Sequence, residues 1–339
     1  MLLISLTAIA VIGCSPDEAS ARRQVSRTEY ALGTYISVRA FDADDSLLEA
    51  VFDAVLEIER KMSVTRDDYD STELLELNRR AGQEPYQVSP DTYEVLQAAR
   101  EYSELTEGAF DLTIGPLVDL WDIGSETASV PAEERIAEAA DRVDYTKVRF
   151  EGDNSVYLEE SGMGVDVGAI AKGYAADEAA RILIDAGVEH ALLDFGGNIL
   201  TIGNKPDDTD WRIGIQHPEE ERNEFLGILT SRDETVVSSG AYERYFMEDG
   251  VRYHHILDRR TGYPSRSGLL SSTIVAEESM AADALSTATF VLGFEEAQQL
   301  IESLPEVEGI LVTEAGEVWV SPGLRERFEL TAEGFALLD

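Results

Sequence analysis

Helical and strand-like patterns follow one another irregularly along these 339 residues, and this irregular order limits the folds open to the chain. Leu48, Val51 and Val55, for example, recur at helical spacing. Strict alternation of strand and helix would indicate a parallel α/β sheet, whereas this order favours an α+β fold of mixed sheets with packed helices. No repeat and no Pro/Gly/Ser-rich linker divides the chain, so we expect a single intertwined unit.

The patterned segments divide into predicted helices and predicted strands. The predicted helices are 45–61, 90–106, 131–140, 169–187, 279–292 and 294–303. The predicted strands are 29–41, 145–150, 155–158, 190–195, 310–313 and 318–321, with further strands and turns throughout 198–276.

Acidic residues outnumber basic ones by a wide margin. The chain has 27 Lys and Arg against 67 Asp and Glu, which gives a formal net charge of −40 at pH 7. Nucleic-acid binding needs a basic face for the phosphates, and docking on anionic lipid needs clusters of basic residues. The charge therefore argues against a nucleic-acid partner and against membrane binding through a basic surface.

The N-terminal segment is predicted to be a secretory signal that ends at a lipid-modified cysteine. Residues 2–12 are apolar, which suits a signal-peptide core but falls short of the ~20 residues of a membrane-spanning helix. Val-Ile-Gly ahead of Cys14, the only cysteine, resembles a bacterial lipobox. We expect a signal peptide over 1–13, a flexible tether over 14–28 and the folded domain over 29–339. The lipid would anchor the protein on the extracytoplasmic face of the cell membrane; a plain secretory signal or a buried segment is the alternative.

Several familiar catalytic motifs are missing from the sequence. It holds no phosphate-loop, dinucleotide-binding, zinc-protease or serine-hydrolase motif. One cysteine and four histidines leave little for a thiolate or multi-histidine metal site. Any metal would therefore be held by oxygen atoms, which suits Mg²⁺, Ca²⁺ or Mn²⁺.

Two glycine-rich segments are candidates for ligand binding. The non-helical segment 108–116 combines Asp111 with glycines and a proline, so its backbone groups are expected to face a ligand; a plain connecting turn is the alternative. In the segment 165–174, Asp166 is predicted to end an apolar strand, and a helix then begins with Lys172 in its first turn. Backbone N–H groups at a helix start and a lysine attract anions, although the segment matches no common phosphate-binding motif.

Two further segments carry polar groups suited to catalysis. Residues 253–264 contain His254 and His255, which on a strand point to opposite sides, so one of them can face a cleft and act as a base. A surface hairpin with a hydrogen-bonded histidine is the alternative. Asp283 and Thr287 are four residues apart on one helical face and form a partial oxygen site for Mg²⁺, unless they are a hydrogen-bonded pair on a packed helix.

In this order, the segments resemble the FAD:protein FMN transferases, the ApbE-like flavin transferase family. The resemblance covers residues from about 30 to 330, and the ordered set is specific although each motif alone is weak. The matching positions are Leu32-Gly33-Thr34, Met62-Ser63, Arg66, Ser71, Glu73-Leu74, Leu77-Asn78, Phe110-Asp111, Gly115-Pro116-Leu117, Leu120-Trp121, Asp166 through Tyr174, Asp194 through Gly197, Ser239-Gly240, His255 through Asp258, Thr261 through Pro264, and Ala282 through Thr287.

The resemblance implies a fold related to the T-fold and an Mg²⁺-dependent transfer of FMN from FAD to a Ser or Thr hydroxyl of a target protein. The transfer forms a phosphoester and releases AMP. It implies that His255 is the base that helps to deprotonate the hydroxyl and that Asp283 also takes part in catalysis. The expected target is a subunit of a membrane redox complex. The implied FAD contacts are Leu32, Ala109, Phe110, Asp111, Asp166, Lys172 and Ile256. The implied Mg²⁺ ligands are the carbonyl of Ala169 and the side chains of Asp283, Ser286 and Thr287.

Two other functions would use the same residues. With water in place of the hydroxyl, the site would hydrolyse FAD to FMN and AMP. A third hypothesis is a lipoprotein that only binds FAD. The presence of His255, Asp283 and Thr287 counts against binding alone. The sequence departs from the family pattern at two positions: Leu32 replaces a methionine, which keeps an apolar contact, and Arg259 replaces a proline, which loosens a turn.

Overall fold

The structure is a computed structural model that describes residues 22–64, 69–222 and 224–338. The predicted signal peptide, Cys14 at its predicted lipobox, and the family position Arg66 lie outside these residues. Within them, the combination of helices and several sheets confirms the predicted α+β class. None of the described helices is long and apolar enough to span a membrane. The helices are α1 (Asp45–Met62), α2 (Glu73–Arg79), α3 (Pro90–Leu105), α4 (Gly115–Trp121), α5 (Glu133–Ala140), α6 (Ala171–Asp185), α7 (Ser279–Leu292) and α8 (Phe294–Ser303), with 3₁₀ turns at Tyr145–Lys147 and Pro322–Leu324.

The strands are short and spread over the whole described chain. They are β1 (Gln24–Ala31), β2 (Thr34–Phe41), β3 (Tyr86–Gln87), β4 (Val148–Glu151), β5 (Ser155–Leu158), β6 (Ala191–Phe195), β7 (Asn198–Ile202), β8 (Trp211–Gln216), β9 (Phe225–Ser231), β10 (Thr235–Gly240), β11 (Tyr245–Glu248), β12 (Val251–His254), β13 (Leu257–Asp258), β14 (Tyr263–Pro264), β15 (Leu269–Ala276), β16 (Glu308–Thr313), β17 (Glu317–Val320), β18 (Phe328–Leu330) and β19 (Ala336–Leu337).

One nine-stranded sheet organises the molecule. Its strand order is β1-β2-β6-β7-β10-β15-β16-β17-β19, and its neighbours are antiparallel except for the parallel pair β17 and β19. Smaller sheets surround it: β18-β9-β8, β3-β5-β4, and the two-stranded ribbons β11-β12 and β13-β14. The main core lies between this sheet and the apolar faces of α1 and α6.

The predicted strand 29–41 is a hairpin rather than one strand. β1 pairs with β2 in a register that sets Ala31 opposite Thr34, and the chain turns through Leu32 and Gly33. Both turn residues have positive φ, 52° and 71°, which suits the twist of an antiparallel pair. The period-2 pattern continues through both strands, so it did not reveal the turn. β1 begins at Gln24, so residues 24–28 belong to the sheet and not to the predicted tether.

The long predicted helices are found within two residues at each end, but two short helices were missed. α2 and α4 have only seven residues each, too few to show a helical period. α4 starts at Gly115, inside the segment predicted as non-helical, with Pro116 in its first turn. The prediction that Asp166 ends a strand is wrong. Residues 165–167 form no strand, and Gly164, two residues before Asp166, makes only an isolated bridge with Ile114.

The crossing of α6 and α7 positions the functional groups. A Cβ on Gly173 would lie 2.3 Å from the carbonyl oxygen of Ser279, so only glycine allows this approach. Two residues at the start of α7, Ser279 and Met280, donate their backbone N–H groups to the carboxylate of Asp177 on α6, both at 2.8 Å. Burial raises the pKa of Asp177 to about 6. The start of α7 is therefore fixed directly to α6.

Candidate active site

The start of α6 and the middle of α7 bring a lysine and a buried carboxylate together. Lys172 Nζ lies 3.4 Å from both carboxylate oxygens of Asp283 and donates a hydrogen bond to the carbonyl of Gly168 at 2.8 Å. The backbone N–H of Gly173 donates to Asp283 at 3.0 Å. Asp283 is only 4% exposed, so these groups replace the water that would otherwise solvate its charge.

Hydroxyl groups from α7 and β10 extend this cluster. Ser239 Oγ lies 2.8 Å from Ser286 Oγ and 3.4 Å from Thr287 Oγ1. Ser286 also donates to the carbonyl of Asp283 at 2.9 Å and is fully buried, so its hydroxyl forms its hydrogen bonds within the protein. Thr287 is half-buried, one helical turn beyond Asp283. The sequence matched Ser239 to a family motif but gave it no role.

The donor set fits a divalent cation held by oxygen. The Asp283 carboxylate, the Thr287 hydroxyl and the carbonyls of the turn 168–169 are the hard donors that Mg²⁺ prefers. The ammonium of Lys172 already bridges the Gly168 carbonyl and Asp283, which shows that the position favours positive charge. Among the described residues, no group of three or more His, Cys, Asp or Glu could hold a metal. A cation bound here would therefore need hydroxyl and carbonyl donors in addition to the Asp283 carboxylate.

The two adjacent histidines at the end of β12 take different roles. His254 is buried, its Nε2 lies 2.9 Å from the carbonyl of Ser265, and its ring meets Phe290 edge-on at 5.5 Å. His255 is half-buried, and its Nδ1 lies 3.3 Å from the carbonyl oxygen of Arg244. Because a carbonyl only accepts hydrogen bonds, Nδ1 carries the proton and Nε2 is the nitrogen that can accept one. His255 is thus the histidine arranged as a base.

The environment of His255 keeps its imidazole neutral. Burial, together with the positive charges of Arg244 and Lys172 and the neighbouring His254, lowers its pKa to about 3. A neutral ring is the form that accepts a proton.

Arg244 is a site residue that the sequence did not reveal. Its carbonyl accepts the backbone N–H of His255 at 3.1 Å as well as the ring Nδ1–H. Its guanidinium is exposed, has no ion pair within the described ranges, and lowers the pKa of both His255 and Asp166. Only the pairing of the ribbon β11-β12, which sets Arg244 opposite His255, brings the two together.

Asp166 forms part of the wall of a cavity of about 410 Å³. Its Oδ1 accepts the N–H of Gly168 at 2.7 Å, which shapes the turn that leads into α6. Burial raises the pKa of Asp166, and the nearby Asp119 raises it further. The cavity is lined by three arginines and three acidic residues, so charged side chains of both signs surround it.

The remaining predicted FAD contacts lie on two loops and one turn. Ala109 packs against the apolar cluster that contains Ile256, the residue after His255 in the connection between β12 and β13. In the same loop Phe110 is buried, and Asp111 turns its carboxylate inward. Leu32 occupies the β1-β2 turn, where its N–H donates to Glu59 at 2.8 Å. The structure thus joins Lys172 and Ser286 directly to Asp283, links Thr287 to Ser286 through Ser239, and places Ala109 against the apolar cluster of Ile256.

Comparison with known proteins decides the family. The model of the ApbE family matches residues 32–311. The chain belongs to the ApbE family. A curated ApbE relative, the FAD:protein FMN transferase of Treponema pallidum, is 36% identical and aligns over 93% of this chain and 91% of its own. A second, from Klebsiella pneumoniae, is 35% identical over 94% of this chain and 99% of its own.

Solved structures of ApbE proteins share the fold. The crystal structure of the Thermotoga maritima protein superposes with a TM-score of 0.80 at 34% identity, covering 89% of this chain and 98% of that one. The flavin transferase ApbE of Vibrio cholerae superposes with a TM-score of 0.78 at 28% identity, over 93% and 99% of the two chains. The predicted family, enzyme class and fold are confirmed. The individual ligand contacts remain predictions.

Proposed function

We propose that this chain transfers FMN from FAD to a Ser or Thr hydroxyl of a target protein, with Mg²⁺, and releases AMP. One observation carries this proposal: the ion pair of Lys172 with the buried carboxylate of Asp283 accompanies a neutral histidine, His255, whose Nε2 is left to accept a proton. Splitting a diphosphate requires charge neutralisation, and activating a hydroxyl requires a base. Family membership supports the pairing of these two groups in one reaction.

The side of the site formed by α6, α7 and the turn before α6, here called the helical side, would bind the diphosphate end of FAD. The Ala169 carbonyl, the Asp283 carboxylate and the Thr287 hydroxyl would hold Mg²⁺, which when bound would neutralise the charge that develops on the diphosphate. Lys172 supplies a further positive charge from the protein itself. Ser239 and Ser286 hold the α7 side of the site against β10.

The side of the site formed by the ribbon β11-β12 and by His255, which follows it, is here called the strand side. It would take up the proton of the attacking hydroxyl. The target hydroxyl oxygen attacks the phosphorus of the FMN half, the phosphoanhydride bond breaks, and AMP leaves with the bridging oxygen. The hydroxyl proton passes to Nε2 of His255. The carbonyl of Arg244 keeps the Nδ1–H in place during this step, so the ring presents the same nitrogen throughout.

The expected location and partner belong to the same proposal. A lipid on Cys14 would hold the enzyme at the extracytoplasmic face of the cell membrane, and a subunit of a membrane redox complex would be its target. The lipobox resemblance of the sequence supports the first point, and Cys14 lies outside the described residues. The short segment between Cys14 and β1 would keep the domain close to the membrane surface.

Transfer, hydrolysis and binding alone can be separated in one assay. Residues 20–339 are incubated with FAD, Mg²⁺ and a threonine-containing peptide, and AMP release and peptide mass are followed together. A peptide that gains FMN in step with AMP supports the transferase. AMP with free FMN and an unmodified peptide would support FAD hydrolysis by the same site. Bound FAD with neither product would contradict the proposal and favour a binding protein.

A further inference from the structure

Arg259 extends from the turn between β13 and β14 to the loop before α4. Its Nε lies 3.6 Å from Asp111 Oδ2, and its Nη2 donates to the carbonyl of Glu107 at 3.4 Å. The guanidinium also lies over the ring of Tyr145, 5.4 Å from its centroid. One side chain therefore touches the loop before α4 and the 3₁₀ turn beyond α5.

Gly108 makes room for this side chain. A Cβ at Gly108 would lie 2.3 Å from Arg259 Nε and 2.6 Å from its Cζ. Gly108 also has a φ of +81°, a conformation that other residues rarely adopt. The guanidinium is thus packed directly on the loop backbone, next to Ala109. Part of the reason for a glycine at position 108 is the arginine at 259.

Asp111 is the charged partner of Arg259. Its side chain is 1% exposed and accepts hydrogen bonds from the N–H and hydroxyl of Thr113, at 2.9 and 2.6 Å, and from the N–H of Tyr145 at 3.4 Å. Burial raises the pKa of Asp111, and the charge of Arg259 opposes that rise. Arg100, which lies over the Tyr145 ring at 4.9 Å, is the other cation at this junction.

We propose that Arg259 is a positioning residue for FAD binding, which holds the loop Ala109–Asp111 against the β13-β14 turn that follows His255 and Ile256. The proposal rests on the proposed function, because that function assigns FAD contacts to both the loop and Ile256. In this chain an ion pair and a ring contact replace the rigidity that a proline would give to the β13-β14 turn.

The test measures the dissociation constant of FAD by flavin fluorescence between pH 5 and 8. Arg259→Gln is expected to weaken FAD binding about tenfold at pH 7. The loss is expected to grow towards pH 5, because without the guanidinium the buried Asp111 protonates at a higher pH and loosens the loop. Arg259→Lys is expected to restore most of the affinity and remove the extra pH dependence.

Arg260→Gln is the matched control. Arg260 is the next residue, but its guanidinium bonds to Asp258, at 3.0 and 3.3 Å, rather than to the loop. The Arg260→Gln variant is expected to bind FAD as tightly as the unchanged protein does. A loss in Arg259→Gln that is the same at every pH and is not restored by lysine would overturn the proposal in favour of a general structural role. Unchanged affinity in Arg259→Gln would also overturn it.

A second measurement separates this proposal from the proposed function. The carboxyl carbon of Asp111 is followed by ¹³C NMR titration in the protein without FAD. The midpoint of this titration is expected to move to higher pH in Arg259→Gln and to remain unchanged in Arg260→Gln. An unchanged midpoint in Arg259→Gln would overturn the proposed role of Arg259. If the unchanged protein shows the expected titration but binds no FAD, the proposed function is wrong while the contact between Arg259 and Asp111 stands.

Discussion

The helical side and the strand side of the candidate site are built in different ways. On the helical side, the backbones of α6 and α7 touch at Gly173, and the Asp177 carboxylate holds the first N–H groups of α7. On the strand side, the ribbon β11-β12 belongs to no larger sheet. The proposed metal ligands thus lie on closely packed helices, and the proposed base lies just beyond the end of a ribbon.

Aromatic stacking replaces sheet pairing in holding that ribbon. The rings of Phe246 and Tyr253 stack at 5.2 Å, and Tyr253 stacks on Trp121 at 5.6 Å. Trp121 in turn donates its indole N–H to the carbonyl of Gly262 at 2.8 Å. On the opposite face of the ribbon, Met247 is exposed to solvent. One face of the ribbon therefore carries most of its packing.

The difference suggests a division of labour. A site that binds charged groups needs dipoles in fixed positions. The backbone groups of closely packed helices provide such dipoles, because they have no rotamers to choose between. A base must meet an incoming polypeptide, and a ribbon fixed on one face leaves room for it. Changes on the helical side should therefore affect stability and catalysis together, whereas changes on the strand side should affect catalysis first.

The largest effect is expected from Asp283→Asn. Asparagine can still accept the N–H of Gly173 but brings no negative charge for Mg²⁺, so AMP release from FAD should fall about 10³-fold, or ~4 kcal/mol. AMP is measured by chromatography at saturating Mg²⁺, with the unfolding midpoint as the control for folding. Unchanged turnover in this variant would show that Asp283 does not bind the metal.

His255→Gln is expected to slow FMN transfer about 10²-fold, or ~2.7 kcal/mol, while FAD still binds. Because the pKa of His255 is lowered to about 3, its ring stays neutral as the pH falls from 8 to 5. The transfer rate of the unchanged protein should therefore show no loss near pH 6.5. His217→Gln, whose ring packs on Phe335, is the control and should leave the rate intact. Equal losses in both variants would argue against a special role for His255.

Gly173→Ala should destabilise the protein by ~2 kcal/mol, because the new methyl group would force α6 and α7 apart. The urea midpoint measures this loss, and AMP release should fall with it as Asp283 moves. Gly152→Ala is the control, since a Cβ there meets no atom within 4 Å. If both variants unfold at the same urea concentration, the close contact of the helices is not a constraint.

Trp121→Phe should have the smallest effect on stability, ~1 kcal/mol, from the lost hydrogen bond to Gly262. FMN transfer should nevertheless slow several-fold, because the ribbon that leads to His255 is less firmly held. Trp319→Phe, a buried tryptophan in β17, is the control and should leave the transfer rate unchanged. A slower rate in the Trp319 variant as well would point to a general packing effect.

The sequence predicted the long elements well because their apolar residues repeat over several turns. It missed the turn at Leu32, where the strand pattern runs on, and the short helix at Gly115. In the site, the spacing of Asp283 and Thr287 placed both on one helical face. The contact between Lys172 and Asp283 joins residues 111 positions apart, which only the packing of two helices reveals. Arg244 acts on His255 through its carbonyl, a group that every residue has.

The strand order of the large sheet has a consequence for how the chain is made. Within the described residues, neighbouring strands follow the order of the chain from β1 to β19, and the intervening segments form their own smaller sheets and helices. A strand late in the chain never has to enter between two strands that are already paired. The sheet can grow strand by strand from β1, and β19 joins at its opposite edge by pairing with β17.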